Sequence, residues 1–237
     1  MKYLIRVVIL FACVKAIQAQ NGIKNVLVLG DSHLKGYFGE YFHKKLHETG
    51  KYDILSIAIG GAGTKNFVLP LQNTCCGYKV RLTCAGDQLP EKGMMPALEK
   101  AEQSTSGLIL KRYGSKLSTV LQMWKPDVLI IALGSNYINA HQDLLSLVQQ
   151  YDADMPIVWV GPFKRKNVGN RYSAIQKAID GNGHCFLVRS DDIVGHDTLS
   201  SAHFVGKTAQ KWAYTVIERF EPYLDSRFCV PSDSLSR

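Results

Sequence analysis

The sequence predicts an α/β fold, a three-layer α/β/α sandwich around a central, mostly parallel five-stranded sheet. Three observations predict it. Short apolar runs recur at 25–29, 54–59, 128–133, 156–160 and 185–188. Stretches with helical spacing separate most of them. The first run, Val26-Leu27-Val28-Leu29, ends in Gly30-Asp31-Ser32-His33 and passes straight into a helical pattern. Apolar runs of this kind suit strands buried on both faces.

The elements follow in order. After the strand 25–29, Phe38, Phe42 and Leu46 share one face of a helix over 35–48, and Gly50 ends it. The run 54–59 is the second strand, broken only by Ser56, and it stops at Gly60-Gly61-Ala62-Gly63-Thr64. Residues 65–105 hold three cysteines, three prolines and several glycines, and are expected to form an insertion beside the site. Within it, Tyr78, Val80 and Leu82 alternate with Lys79 and Arg81, which suggests a short hairpin. Helical spacing resumes over 106–124. The strand 128–133 then leads into Gly134-Ser135-Asn136. A helix over 141–151, a strand over 156–160, a helix over 170–179 and a strand over 185–188 follow. The last helix is expected over 203–220, with Trp212, Val216 and Phe220 on one face. Residues 227–237 carry Pro231 and polar residues and are expected to be a disordered tail.

Composition narrows the function. The first nineteen residues have the pattern of a secretory signal peptide: Lys2 and Arg6, an apolar stretch over 7–14, and a small residue, Ala19, at the cleavage position. Lipoprotein processing at Cys13 is the rival, disfavoured by the bulk of Phe11. The expected location is therefore secreted or periplasmic, with one domain over 20–226 and no integral membrane segment once the signal is removed. The chain has 28 basic and 20 acidic residues, a net charge of +8. Removing Lys2, Arg6 and Lys15 leaves +5. That balance suits an anionic envelope polymer. It lacks the basic, aromatic-interleaved runs of a nucleic-acid binder. Of the six cysteines, Cys13 goes with the signal, leaving Cys75, Cys76, Cys84, Cys185 and Cys229. In an oxidising compartment we expect a local disulfide from Cys84 to Cys75 or Cys76, and a buried free thiol at Cys185. The cysteines and histidines are too scattered for a zinc site. No metal or cofactor is called for.

Chemistry gathers at the strand ends. Ser32 lies on a strand-to-helix turn, where a hydroxyl and a backbone N–H both face the crevice of an open sheet. A serine there is also an ordinary helix cap. Gly60 is also an ordinary turn glycine, Asn136 a turn residue, and His203 a helix-capping histidine. In order, however, Gly30-Asp31-Ser32, Gly60-Gly61-Ala62-Gly63, Gly134-Ser135-Asn136 and His203 resemble the blocks of the SGNH hydrolases, the GDSL esterase family. The resemblance spans 25–220. It implies a flavodoxin-like sandwich and a serine esterase working through an acyl-enzyme on Ser32. It implies His203 as general base, and an oxyanion hole from the Ser32 N–H, the Gly60 N–H and the Asn136 amide. One position departs. Where the family has aspartate three residues before the histidine, this chain has Ser200; the nearest upstream acid is Asp197. The residue that orients His203 is therefore Ser200 or a backbone carbonyl, giving a dyad, or Asp197 on a loop that doubles back.

The resulting expectation is an esterase that removes acyl groups, acetyl foremost, from a carbohydrate or cell-envelope glycan. A lysophospholipase or thioesterase is the lipolytic alternative. A catalytically weak glycan-binding protein on the same fold is the other. The partner is an acylated small molecule or glycan; oligomeric state is not legible.

Overall fold

Alternation of side chains along buried strands sorts the core into two faces. The computed structural model describes residues 22–71, 76–90, 94–101, 110–136, 139–163, 168–194 and 203–228. Five parallel strands form its centre: β1 (Lys24–Gly30), β2 (Tyr52–Ile59), β5 (Val128–Ala132), β6 (Ile157–Val160) and β7 (Cys185–Val188). Two more, β3 (Tyr78–Thr83) and β4 (Glu99–Ala101), extend it antiparallel beyond β2. The order is β4-β3-β2-β1-β5-β6-β7. The sheet is therefore seven-stranded rather than five-stranded. The predicted hairpin is instead one strand, β3, paired on one side with β2 and on the other with β4. β4 left no sequence signal, because Glu-Lys-Ala at a sheet edge has no apolar period.

Leu27, Leu29, Leu55, Ile57, Leu129 and Ile131 face one layer. Against them pack α3 (Lys65–Val68), α4 (Leu117–Trp124), α5 (His141–Tyr151) and α6 (Val168–Ile179). Val26, Val28, Ile54, Val128, Ile130 and Val158 face the other layer. It holds α1 (Ser32–Lys35), α2 (Tyr37–Glu48) and α7 (Gly206–Phe228). Every one of these strand side chains is fully buried.

Helix boundaries differ from the sequence pattern where glycine intervenes. The helix expected over 35–48 is two helices, broken at Gly36, whose backbone is extended at φ −86° and ψ −154°. The helix expected from 106 starts only at Leu117. The chain still turns at Gly114, at φ +79°, and residues 102–109 lie outside those described. The last helix starts at Gly206, whose φ is +53°, which leaves His203 in a bend ahead of it. It continues beyond Phe220 through Pro222 to Phe228, because Leu224 extends the buried face. Arg227 and Phe228 are thus helical rather than part of a tail.

The signal segment and residues 229–237 lie outside the described residues. Among the described residues, no helix is long and apolar enough to cross a membrane. Cys84 is a free thiol, so the expected Cys84 bridge is not made. Cys185 is free as expected but only partly buried; burial raises its thiol pKa to about 12.

Candidate active site

The chain steps from β1 to β2 on one side and to β5 on the other, so β1 stands at the topological switch point of the sheet. Crevices for ligands open there, beyond the carboxyl ends of the strands. Gly30 ends β1 and α1 begins at Ser32. Gly30 must lack a side chain, because a Cβ there would lie 2.6 Å from Leu34 Cβ.

The cap of α1 is Asp31, not Ser32. The Asp31 carboxylate accepts from the His33 N–H at 2.9 Å. Ser32 is the first residue of the helix and partly exposed, so capping does not engage its hydroxyl. The second Asp31 oxygen accepts from Asn136 Nδ2 at 3.3 Å, and the same nitrogen donates to the Ala62 carbonyl at 2.8 Å. One amide thereby ties together the turns that follow β1, β2 and β5. A second tie runs beside it. Thr64 Oγ1 accepts from the Ala140 N–H at 2.6 Å and pairs with His141 Nδ1 at 3.1 Å. The buried Arg171 guanidinium donates to the carbonyls of Gly134 and Ser135 from the far side.

His203 reaches this place from the other end of the chain. Its ring lies 4.9 Å from that of His33, the neighbour of Ser32. His33 is in turn enclosed by Phe163 at 5.1 Å and Trp212 at 5.3 Å between ring centroids. Burial, and then the charge of Lys35, hold the His203 imidazole below its ordinary pKa. It is therefore biased toward the neutral form that can accept a proton.

Gly60 ends up at the same edge with its donor engaged. Its N–H donates to the Gly77 carbonyl at 2.8 Å. A Cβ on Gly60 would meet the Cys76 carbonyl oxygen at 2.5 Å, so the missing side chain admits the inserted segment. Ser200 and Asp197 lie outside the described residues.

The structure thus brings the two neighbours of Ser32 to the candidate partners, Asp31 to Asn136 and His33 to His203, with Asn136 also bonded to the turn after Gly60. Sequence reasoning passed over Asp31 as the shared acceptor, His33 as the ring against His203, and the tie through Thr64 and His141. Asp31 had a signal, since aspartate is among the strongest N-cap residues. His33 had none beyond its place beside Ser32.

The architecture is an SGNH hydrolase-like fold. No protein-family profile matches this chain, and no curated protein matches it. Solved structures do. A family 3 carbohydrate esterase from Clostridium thermocellum superposes with a TM-score of 0.52 at 14% identity, over 87% of this chain and 100% of that one. A family two carbohydrate esterase from Cellvibrio japonicus gives 0.50 at 14% identity, over 85% and 62%. A GDSL-like lipase candidate from Bacteroides ovatus gives 0.50 at 13%, over 86% of this chain and about half of its own length, 53%. At these identities the likeness is one of fold.

Proposed function

We propose that the protein is a secreted or periplasmic serine esterase that removes short acyl groups, acetyl foremost, from a carbohydrate or envelope glycan. The observation that carries this reading is the placement of Ser32. It opens a helix at the switch point, relieved of capping by Asp31, with the His203 ring packed against its neighbour. In the proposed reaction Ser32 Oγ attacks the ester carbonyl and His203 takes the hydroxyl proton. The tetrahedral oxyanion collapses, the leaving alcohol receives the proton from His203, and an acyl-Ser32 remains. Water, deprotonated by His203, then releases the acid.

The oxyanion is received by the Ser32 N–H and by Asn136. Asn136 Nδ2 has two hydrogens; in the proposed reaction the oxyanion competes with Asp31 for the one on the longer, 3.3 Å bond, while the other stays on Ala62 O. Gly60 joins the hole only if its bond to Gly77 opens. His203 is oriented by Ser200 or a backbone carbonyl, with Asp197 as the alternative. The fold-sharing proteins called carbohydrate esterases support a glycan ester over a lipid one.

The engaged N–H of Gly60 favours one second reading, a glycan-binding protein with little catalysis. A single experiment separates the two. The mature protein is assayed on short- and long-chain nitrophenyl esters beside Ser32→Ala. Turnover of the short esters, abolished in the variant with its melting temperature kept, is the expected result. Equal turnover by both proteins would remove Ser32 as nucleophile. No turnover by either would leave the binding protein.

A further inference from the structure

The insertion after β2 meets the turn that carries Ser32 at two places: the Cys76 carbonyl accepts from Lys35 Nζ at 2.7 Å, and the Arg81 side chain donates to the end of the turn. We propose that Arg81, on β3, is a positioning residue: its guanidinium holds the last two carbonyls of α1 and so fixes where Ser32 stands. This rests on the reading of Ser32 as nucleophile.

Helix α1 is a single turn, closed by Lys35 N–H to Asp31 O and Gly36 N–H to Ser32 O, each 3.0 Å. One turn of helix does not hold itself in water. The carbonyls at its C-terminal end need hydrogen-bond donors from elsewhere. Arg81 supplies both: Nη1 donates to Leu34 O at 2.9 Å and Nη2 to Lys35 O at 3.0 Å. Its planar fork spans two neighbouring carbonyls, which a lysine ammonium does not. On the opposite side of Leu34 O stands Gly39, where a Cβ would lie only 1.7 Å from that oxygen. The Leu34 carbonyl is thereby held between β3 and α2.

The guanidinium itself is fixed. Arg81 has no solvent exposure, so its charge requires a buried counter-charge. Glu40 on α2 provides it at 2.5 Å. Lys79 Nζ meets the same oxygen at 3.0 Å, and the Met95 N–H donates to the other at 2.9 Å. A buried ion cluster of this kind is a poor source of stability, since apolar residues of equal volume do as well or better. What it supplies is a fixed geometry for two carbonyls one turn from the nucleophile. A displacement of about 1 Å at a reacting group costs on the order of a hundredfold in rate.

The test uses the full mature chain with Arg81→Met, Arg81→Lys and Ser32→Ala. Competent sites are counted by titration with a fluorophosphonate, and kcat per titrated site and KM are measured on a short-chain nitrophenyl ester. Arg81→Met is expected to lower kcat per site by about ten- to a hundredfold with KM within about twofold. Arg81→Lys is expected to recover part of that loss. A normal kcat per site, with only yield or melting temperature reduced, would overturn the proposal. Should the Arg81 variants fail to fold, Glu40→Gln loosens the guanidinium while leaving it in place, and the same criterion applies. An active Ser32→Ala would refute the nucleophile; an inactive one beside normal Arg81 variants would refute the positioning alone.

Discussion

Asp31 accepts two bonds at the end of β1, and that arrangement sets what its neighbours can do. It takes the cap from Ser32 and half of the Asn136 amide. Removing Asn136 therefore removes a donor and a tether together. As a transition-state donor, Asn136→Ala is expected to lower kcat about a hundredfold with KM little changed, measured on a short ester. A change in KM alone would assign the residue to substrate binding. His203 gives a second prediction. Its folded pKa lies below the ordinary 6.5, chiefly through burial and secondly through Lys35. The neutral, proton-accepting form then persists as pH falls, and the acid limb of kcat/KM is expected below pH 6.5. Lys35→Met should move that limb upward by the smaller part of the shift, since burial remains. A limb above 6.5 in the wild type would show that an anion faces the ring.

Elements were legible in the sequence in proportion to how much apolar surface each buries. The five parallel strands and the helix His141–Tyr151 could be located from hydrophobic period alone. Helix α1 could not, because its limits depend on Gly36 and on donors supplied by Arg81 from a distant strand. The edge strand β4 escaped because its three residues bury little. The places of Ser32, Asn136 and His203 at strand and helix ends were legible because each follows an apolar run or precedes a periodic one. The Asp31–Asn136–Ala62 tie was not, because side-chain bonds between turns more than seventy residues apart have no local pattern. Glycine positions test this packing directly. Gly39→Ala places a carbon against Leu34 O and is expected to cost about 3 kcal/mol or more. Gly169→Ala, in α6 with nothing within 4 Å, is expected to be neutral or to stabilise by about 0.5 kcal/mol. Urea denaturation of both variants is the measurement. Equal effects would mean that α1 and α2 are not packed as closely as described.

At the scale of the whole molecule, buried titratable groups link the fold to pH. His43, on the buried face of α2, has Nδ1 on Ser56 Oγ at 2.7 Å and Nε2 on Thr83 Oγ1 at 3.0 Å. Burial foremost, with the charge of Arg81, lowers its pKa to about 3. His141 is lowered to about 4, also by burial. Between these values and 6.5 the unfolded chain binds protons that the folded chain does not. Stability therefore rises with pH across that window and is lost as pH falls through it. Each histidine contributes a slope of up to about 1.4 kcal/mol per pH unit. Glu40 acts in the same direction: burial raises its pKa, but Arg81 and Lys79 together bring it below 4.5. Its contribution is present above the unfolded carboxylate range and is lost on further acidification. Urea midpoints measured from pH 7.5 down to pH 4.5 are expected to be flat above 7 and to fall steadily below 6.5. His43→Gln, which can still bond Ser56 and Thr83, should remove one histidine's share of that slope while lowering stability at pH 7.5 only modestly. An unchanged slope in His43→Gln would mean that His43 takes up its proton in the folded state, and that the Ser56–His43–Thr83 network opens well before the sheet does.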